Sequence, residues 1–421
     1  MGPGPGRARL SRAGLSRHGR PTDPFVSSQV ETSCRAKPRP AFSAALEGGP
    51  STEFIQSAAA GGVEGLGANG DRVANMTSRV AIFGAGSVGC FVGGAWAAAG
   101  VPVAFVGRER IGREIAENGL ALTDHSGWRA RLAPEQVDFS TKPAALAGAD
   151  VIALCVKSTG TAAAAKEIAR NATKGALVVS FQNGVSNVDL LRSVLKNRFE
   201  AVAGMVPYNV AHLGHGRFHK GVAGDLLAQD VPALRALAER IGEGPARLRL
   251  SGDMPAIAWG KLLINLNNAV NALSGRTLLE QLKERDYRRV VAASILEALE
   301  LLEAAGIEPA KIGPVPPRLL PHAIASPNLV FNTLFLKIQK IDSKARSSMA
   351  DDLRAGRPTE IAYLNGEVVA LAKKLGRRAP VNEAIVSLIR QAEMGVELLW
   401  EPARLRAHVL EGRKAAPIFG Y

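Results

Sequence analysis

The chain has 421 residues, 47% hydrophobic and only 5% aromatic, so it can bury an aliphatic core. It exceeds one ordinary domain of roughly 100–200 residues and is not a disordered chain, a collagen or a coiled-coil rod. Its net charge of +14 is spread over many segments, with no dense Lys/Arg tract interleaved with aromatics. It therefore reads as a solvated basic surface or a funnel for anionic substrates, with no nucleic-acid partner expected.

Residues 1–75 differ from the rest. The first 40 hold seven Arg, one Lys and only two acids, and the next 35 are rich in Gly, Ala and Ser. This segment reads as a disordered arm or a misassigned start, Met76 lying just before the first strand. Its Arg-rich character resembles a transit peptide, but its Pro and Gly disfavour the amphipathic helix of such peptides. No cleavable secretory signal is apparent, so cytoplasm is the default location. The three cysteines (Cys34, Cys90, Cys155) exclude a disulfide scaffold and a four-cysteine zinc site, and point to a reducing compartment.

Residues 80–107 carry no charge over 28 positions, long enough to be mistaken for a membrane span. Seven Gly and Pro102 divide the stretch into strand (80–83), small-residue helix (88–99) and strand (103–106). Strand-like runs recur at 151–156, 177–181 and 201–206, with helices predicted at 161–170 and 185–195. Beyond about Leu250 the pattern is helical, at 257–273, 287–305, 328–341, 360–375 and 381–394. The fold class is α/β followed by all-α. A Rossmann-type doubly wound domain (76–250) precedes a helical domain (251–421), with a ligand cleft between them.

Gly84-Ala85-Gly86-Ser87-Val88-Gly89 follows a strand and opens a helix, as a dinucleotide fingerprint requires. Gly84 permits the tight turn, Gly86 the approach of a pyrophosphate, and Gly89 close helix–strand packing. The second strand runs into Arg108, which favours NADP through a 2′-phosphate contact. Glu109 beside it is the alternative, a ribose acid that would favour NAD.

Two further strands end in polar residues. Lys157 can face an anion, and Asn183 can hold an amide such as nicotinamide. Surface lysines and Asn-Gly turns are also common without any ligand. Lys261 and Asn265 are four apart, on one face of an otherwise apolar helix, and Asn268 lies three further on. A lysine in such surroundings loses preference for its charge, which suits a general acid; a lysine snorkelling from the helix edge is the bland reading. Ser348 can bind a carboxylate. Glu360 can orient a lysine, while Thr359 before it can cap a helix.

These pieces, in this order from about Arg79 to Met394, resemble the ketopantoate reductase (2-dehydropantoate 2-reductase) family. The resemblance implies NADPH-dependent reduction of a small 2-oxo acid, ketopantoate, to pantoate in pantothenate synthesis. It makes Lys261 the proton donor, with Glu360 on the cofactor side near it. It has Asn183 touch cofactor and substrate, Asn265 and Asn268 face the substrate, and Ser348 bind its carboxylate. Gly84 to Gly89, Arg108 and Lys157 would hold the cofactor. The helical domain would resemble that of 6-phosphogluconate dehydrogenase. The family usually has a second substrate Asn where this chain has Ala269, so the acyl specificity stays open.

Rival readings are the same reaction on another 2-oxo acid, a β-hydroxyacid dehydrogenase, and a catalytically silent dinucleotide-binding regulator. His212, His215 and His219 lie within eight residues, but flanking glycines favour a hairpin over a metal site, and no metal is expected. No membrane partner is expected, and a homodimer is compatible with the sequence.

Overall fold

Alternation of short β-branched runs with amphipathic segments produces one large sheet and a helical half. The computed structural model describes residues 1–2, 79–336, 344–396 and 399–414. Apart from residues 1–2, the expected N-terminal arm lies outside these residues, as does part of the helix expected at 328–341.

The strands are β1 (Val80–Phe83), β2 (Val103–Val106), β3 (Leu120–Asp124), β4 (Arg129–Leu132), β5 (Asp138–Ser140) and β6 (Val151–Leu154). They continue with β7 (Leu177–Ser180), β8 (Glu200–Met205), β9 (Val210–His212), β10 (Arg217–Lys220), β11 (Leu226–Gln229) and β12 (Leu248–Ser251). The main sheet has the order β12-β11-β8-β7-β6-β1-β2-β5. Pairing is parallel from β5 through β8, and β11 joins β8 antiparallel. The order reverses at β1, between β2 and β6, which is where doubly wound sheets bind ligands. β6, wholly apolar and buried throughout, is a strand covered on both faces.

Helices α1 (Ser87–Ala98), α2 (Glu109–Asn118), α3 (Thr161–Asn171), α4 (Asn187–Leu195) and α5 (Pro232–Ile241) accompany the sheet. One core packs α1 against Val80, Ile82 and Phe105; a second, on the other face, packs α3 and α4 against Ile152, Leu154 and Val178. A smaller sheet, β4-β3-β10-β9, was not expected from the sequence; its strands are short and half exposed, which hides their period. β9 and β10 form the expected hairpin.

The chain turns helical at α6 (Met254–Asn265), followed by α7 (Asn267–Ser274), α8 (Leu278–Lys283) and the 20-residue α9 (Arg285–Ala304). Later helices are Ser348–Arg354, Asn365–Lys374, Pro380–Glu393 and Pro402–Lys414. The helix expected at 257–273 is two helices that break at Leu266. The break turns Asn268 onto a different helix from Lys261 and Asn265. α9 is the spine: its buried Glu297 accepts the N–H groups of Val381 and Asn382, at 3.0 and 2.9 Å, and so caps the later helix Pro380–Glu393. No helix among the described residues is long and apolar enough to cross a membrane.

The fingerprint turn is tight enough to test. A Cβ on Gly89 would lie 2.4 Å from the Gly84 carbonyl oxygen and 2.9 Å from Ile82 Cγ2. Gly89→Ala should therefore lower stability by about 1–3 kcal/mol, against the roughly 1 kcal/mol gain expected of Ala in a free helix. Urea unfolding of the full chain reads the sign.

Candidate active site

The site is built where the sheet's carboxyl edge meets α6. Gly84, at φ +105°, leaves β1 so close to the next crossover that a Cβ would lie 2.5 Å from the Val156 nitrogen. Gly86 instead faces open space, with nothing within 4 Å of where its Cβ would be. It precedes α1, whose N-terminus has no side-chain cap and no acid in its first turn. Ser87 and Val88 begin that helix, so bare N–H groups and the positive dipole end face the crevice, which suits a pyrophosphate. Ala85 is buried, its N–H bound to the Val106 carbonyl at 2.9 Å, and it supports the turn from behind.

At the end of β2, Arg108 is exposed, and its side chain makes no ion pair or hydrogen bond among the described residues. Its neighbours are engaged. Glu109 lies 3.6 Å from Arg113, and Arg110 holds Glu114 at 2.7 Å.

Beyond β7, Asn183 sits at the centre of a hydrogen-bond chain. Its Nδ2 donates to Glu360 Oε2 at 2.9 Å, and its Oδ1 accepts from Asn265 Nδ2 at 3.3 Å. The other Glu360 oxygen accepts the Ser158 N–H at 2.7 Å. Behind this chain, the Asn183 carbonyl accepts from Ser158 Oγ at 2.7 Å and Asn187 Nδ2 at 2.6 Å. Thr161 Oγ1 in turn bonds the Asn187 side chain at 2.8 Å. Ser158, Thr161 and Asn187 are all buried. Sequence reading missed these three because small polar residues before helices look like caps. Asn187, four after Asn183 at a helix start, was the only available signal.

Val88, Phe181, Asn183, Tyr208, Lys261 and Asn265 line one pocket between sheet and helices. The Lys261 ammonium makes no ion pair or hydrogen bond among the described residues, and burial holds its pKa below the usual lysine range. An unpaired lysine beside two amides can offer a proton and a positive charge to an oxygen placed there.

The other expected residues are less central. Lys157 points across to the helical half, its Nζ 2.5 Å from Asp352 Oδ1, and Asp352 also takes Arg357 at 3.0 Å. Ser348 opens its helix, exposed, while its neighbour Ser347 does the capping and donates to the Asn268 carbonyl at 3.0 Å. Asn268 is half-buried. The three histidines do not converge: His212 pairs with Glu114 at 2.6 Å, and His219 with Thr123 at 2.9 Å.

A doubly wound sheet with a glycine fingerprint, facing a helical half that contributes a desolvated lysine, defines the two-part dinucleotide-linked oxidoreductases. Family comparison narrows this. The ketopantoate reductase PanE/ApbA profile matches residues 80–232, and the C-terminal profile of the same family matches 253–393. The chain belongs to the ketopantoate reductase family. It is 26% identical to the 2-dehydropantoate 2-reductase of Halobacterium salinarum over 328 residues, 75% of this chain and 99% of that protein. The crystal structure of a PanE/ApbA family ketopantoate reductase from Ralstonia eutropha superposes with a TM-score of 0.64 at 29% identity, covering 75% of this chain and 99% of that one. A D-mandelate dehydrogenase solved with NADH and anilino(oxo)acetate shares the fold, with a TM-score of 0.61 at 19% identity and the same coverage.

Glu360 accepts two donors on separate oxygens, so an amide in its place must turn its NH2 toward one of them. Glu360→Gln should cost about 1–3 kcal/mol, the penalty of leaving a partner unsatisfied. Chemical unfolding of the full chain measures it, and an unchanged midpoint would mean that the bridge contributes nothing.

Proposed function

We propose that the chain reduces ketopantoate to pantoate with NADPH, with Lys261 as the general acid. One observation carries the reading: a partly buried lysine without a countercharge among the described residues shares a pocket with Asn183 and Asn265 at the carboxyl edge of a fingerprint-bearing sheet. Burial lowers the pKa of this lysine, so it gives up its proton more readily than a solvated one.

The residues present fit the cofactor, since the Gly86 side of the turn is open and the α1 N-terminus is uncapped. NADPH, when bound, supplies the hydride that adds to the substrate's carbonyl carbon. The rest falls to the chain. Arg108, whose side chain has no partner among the described residues, would take a 2′-phosphate, whereas Glu109 lies beside Arg113. The Asn183 and Asn265 amides orient the substrate, and Ser348 takes the carboxylate. Lys261 stabilises the developing alkoxide by charge and then protonates it, giving the 2-hydroxy acid.

A second reading keeps the chemistry and changes the acyl group. Ala269 is fully buried in the apolar core of the helical half, so that position offers no amide to a substrate. Asn268 is the neighbouring amide that remains.

The deciding assay follows NADPH oxidation with ketopantoate against other 2-oxo acids, with NADH as control. Fast turnover of ketopantoate with NADPH is expected; turnover of another oxo acid alone would select the second reading. Arg108→Ala should raise the KM for NADPH several-fold and leave that for NADH unchanged. Lys261→Ala should lower kcat by about 10²-fold or more, the usual contribution of a general acid. Reduction by the wild type needs the protonated lysine, so kcat should fall as pH rises through a value below the usual lysine pKa. A rate that stays flat into the ordinary lysine range would remove Lys261 from this role.

A further inference from the structure

Among the residues that line the pocket and that the reaction above does not use, Tyr208 has a buried side-chain oxygen without a partner. Tyr208 lies just after β8 and lines the same pocket as Lys261. Its residue is only 6% exposed, and its hydroxyl is buried without a hydrogen-bond partner. Buried polar groups in folded proteins are nearly always paired, and leaving one unpaired is costly.

The ring itself is firmly held. The Lys220 ammonium sits 4.2 Å from its centroid and is fixed by the Gly224 and Pro245 carbonyls at 2.7 and 2.6 Å. Lys220 is itself buried, so a charged group has been brought into the interior beneath this ring. Phe91 packs edge-on against it, with centroids 6.1 Å apart. The ring is thus held on two sides, while its buried hydroxyl has no partner among the described residues.

We propose that Tyr208 is a cofactor-binding residue whose hydroxyl exchanges hydrogen bonds with the nicotinamide carboxamide. The proposal rests on the reductase reading above. Tyr208 packs on α1, the fingerprint helix, whose Val88 lines the same pocket; the substrate-facing Lys261 and Asn265 belong to α6. A phenol both donates and accepts, as a carboxamide does, whereas a carboxylate only accepts. Burial also raises the phenol's pKa above the usual tyrosine range, which keeps its proton on as a donor.

Tyr208→Phe in the full chain tests this by binding and by melting. Titration with NADPH, without oxo acid, should show Kd raised by about 3–10-fold, the loss of one hydrogen bond. Kd for 2′-phospho-ADP-ribose, which lacks the nicotinamide, should be unchanged. The ligand-free variant should melt no lower than wild type, because an unpaired buried hydroxyl is removed; a merely structural tyrosine would lower it. Equal NADPH affinity in both proteins overturns the proposal, and so does equal weakening of NADPH and the fragment. Unchanged NADPH affinity with a raised KM for the oxo acid overturns it in favour of a substrate contact. A wild-type protein that binds neither NADPH nor the fragment would defeat the reductase reading itself.

Discussion

The Glu360 carboxylate is the joint on which the site depends. It comes from the helical half, yet both its oxygens are bound by the sheet: one by the Ser158 N–H after β6, the other by the Asn183 amide after β7. Those are adjacent strands at the sheet's carboxyl edge, so one side chain sets the spacing of two crossovers. Asn183 then passes the constraint to Asn265 on α6, one helical turn from Lys261. A carboxylate accepting several donors is a rigid reference point, since each additional bond removes a direction in which it can relax.

Three lysines show how location decides what an ammonium does. Lys157 is half exposed and its charge is answered by Asp352. Lys220 is buried, but two carbonyls and an aromatic face replace its water. Lys261 is half-buried in the pocket without a countercharge among the described residues, and burial pulls its pKa below the usual lysine range. Its cost is borne by a helix whose other residues, Leu262 and Leu263 among them, are packed into the core.

Much of the sheet was legible because its central strands are uninterrupted apolar runs. Val80–Phe83 and Val103–Val106 match the expected strands, and the glycine spacing located the crevice. The peripheral sheet was not legible, since β4 and β9 are short and half exposed and carry no period to read. The site was legible in part. Lys261 and Asn265 showed as polar intrusions in an apolar helix, and the structure brings Asn183 to Asn265, while Glu360 meets Asn183 and not the lysine it was expected to orient. Asn268 was read as continuing that face, which the break at Leu266 prevents. Tyr208 gave no signal, because an aromatic residue after a strand is ordinary core.

Local chemistry was enough for the fingerprint turn, the strand–helix alternation and the candidate acid. Each depends on neighbours a few residues away, where chain geometry leaves little choice. The pairing of Glu360 with residues about 180 to 200 positions earlier, the lone state of the Lys261 ammonium and the unpaired Tyr208 hydroxyl are different in kind. They arise from which surfaces meet when the sheet and the helices pack. Desolvation and hydrogen-bond satisfaction are set by those meetings, and no short window of sequence contains both partners.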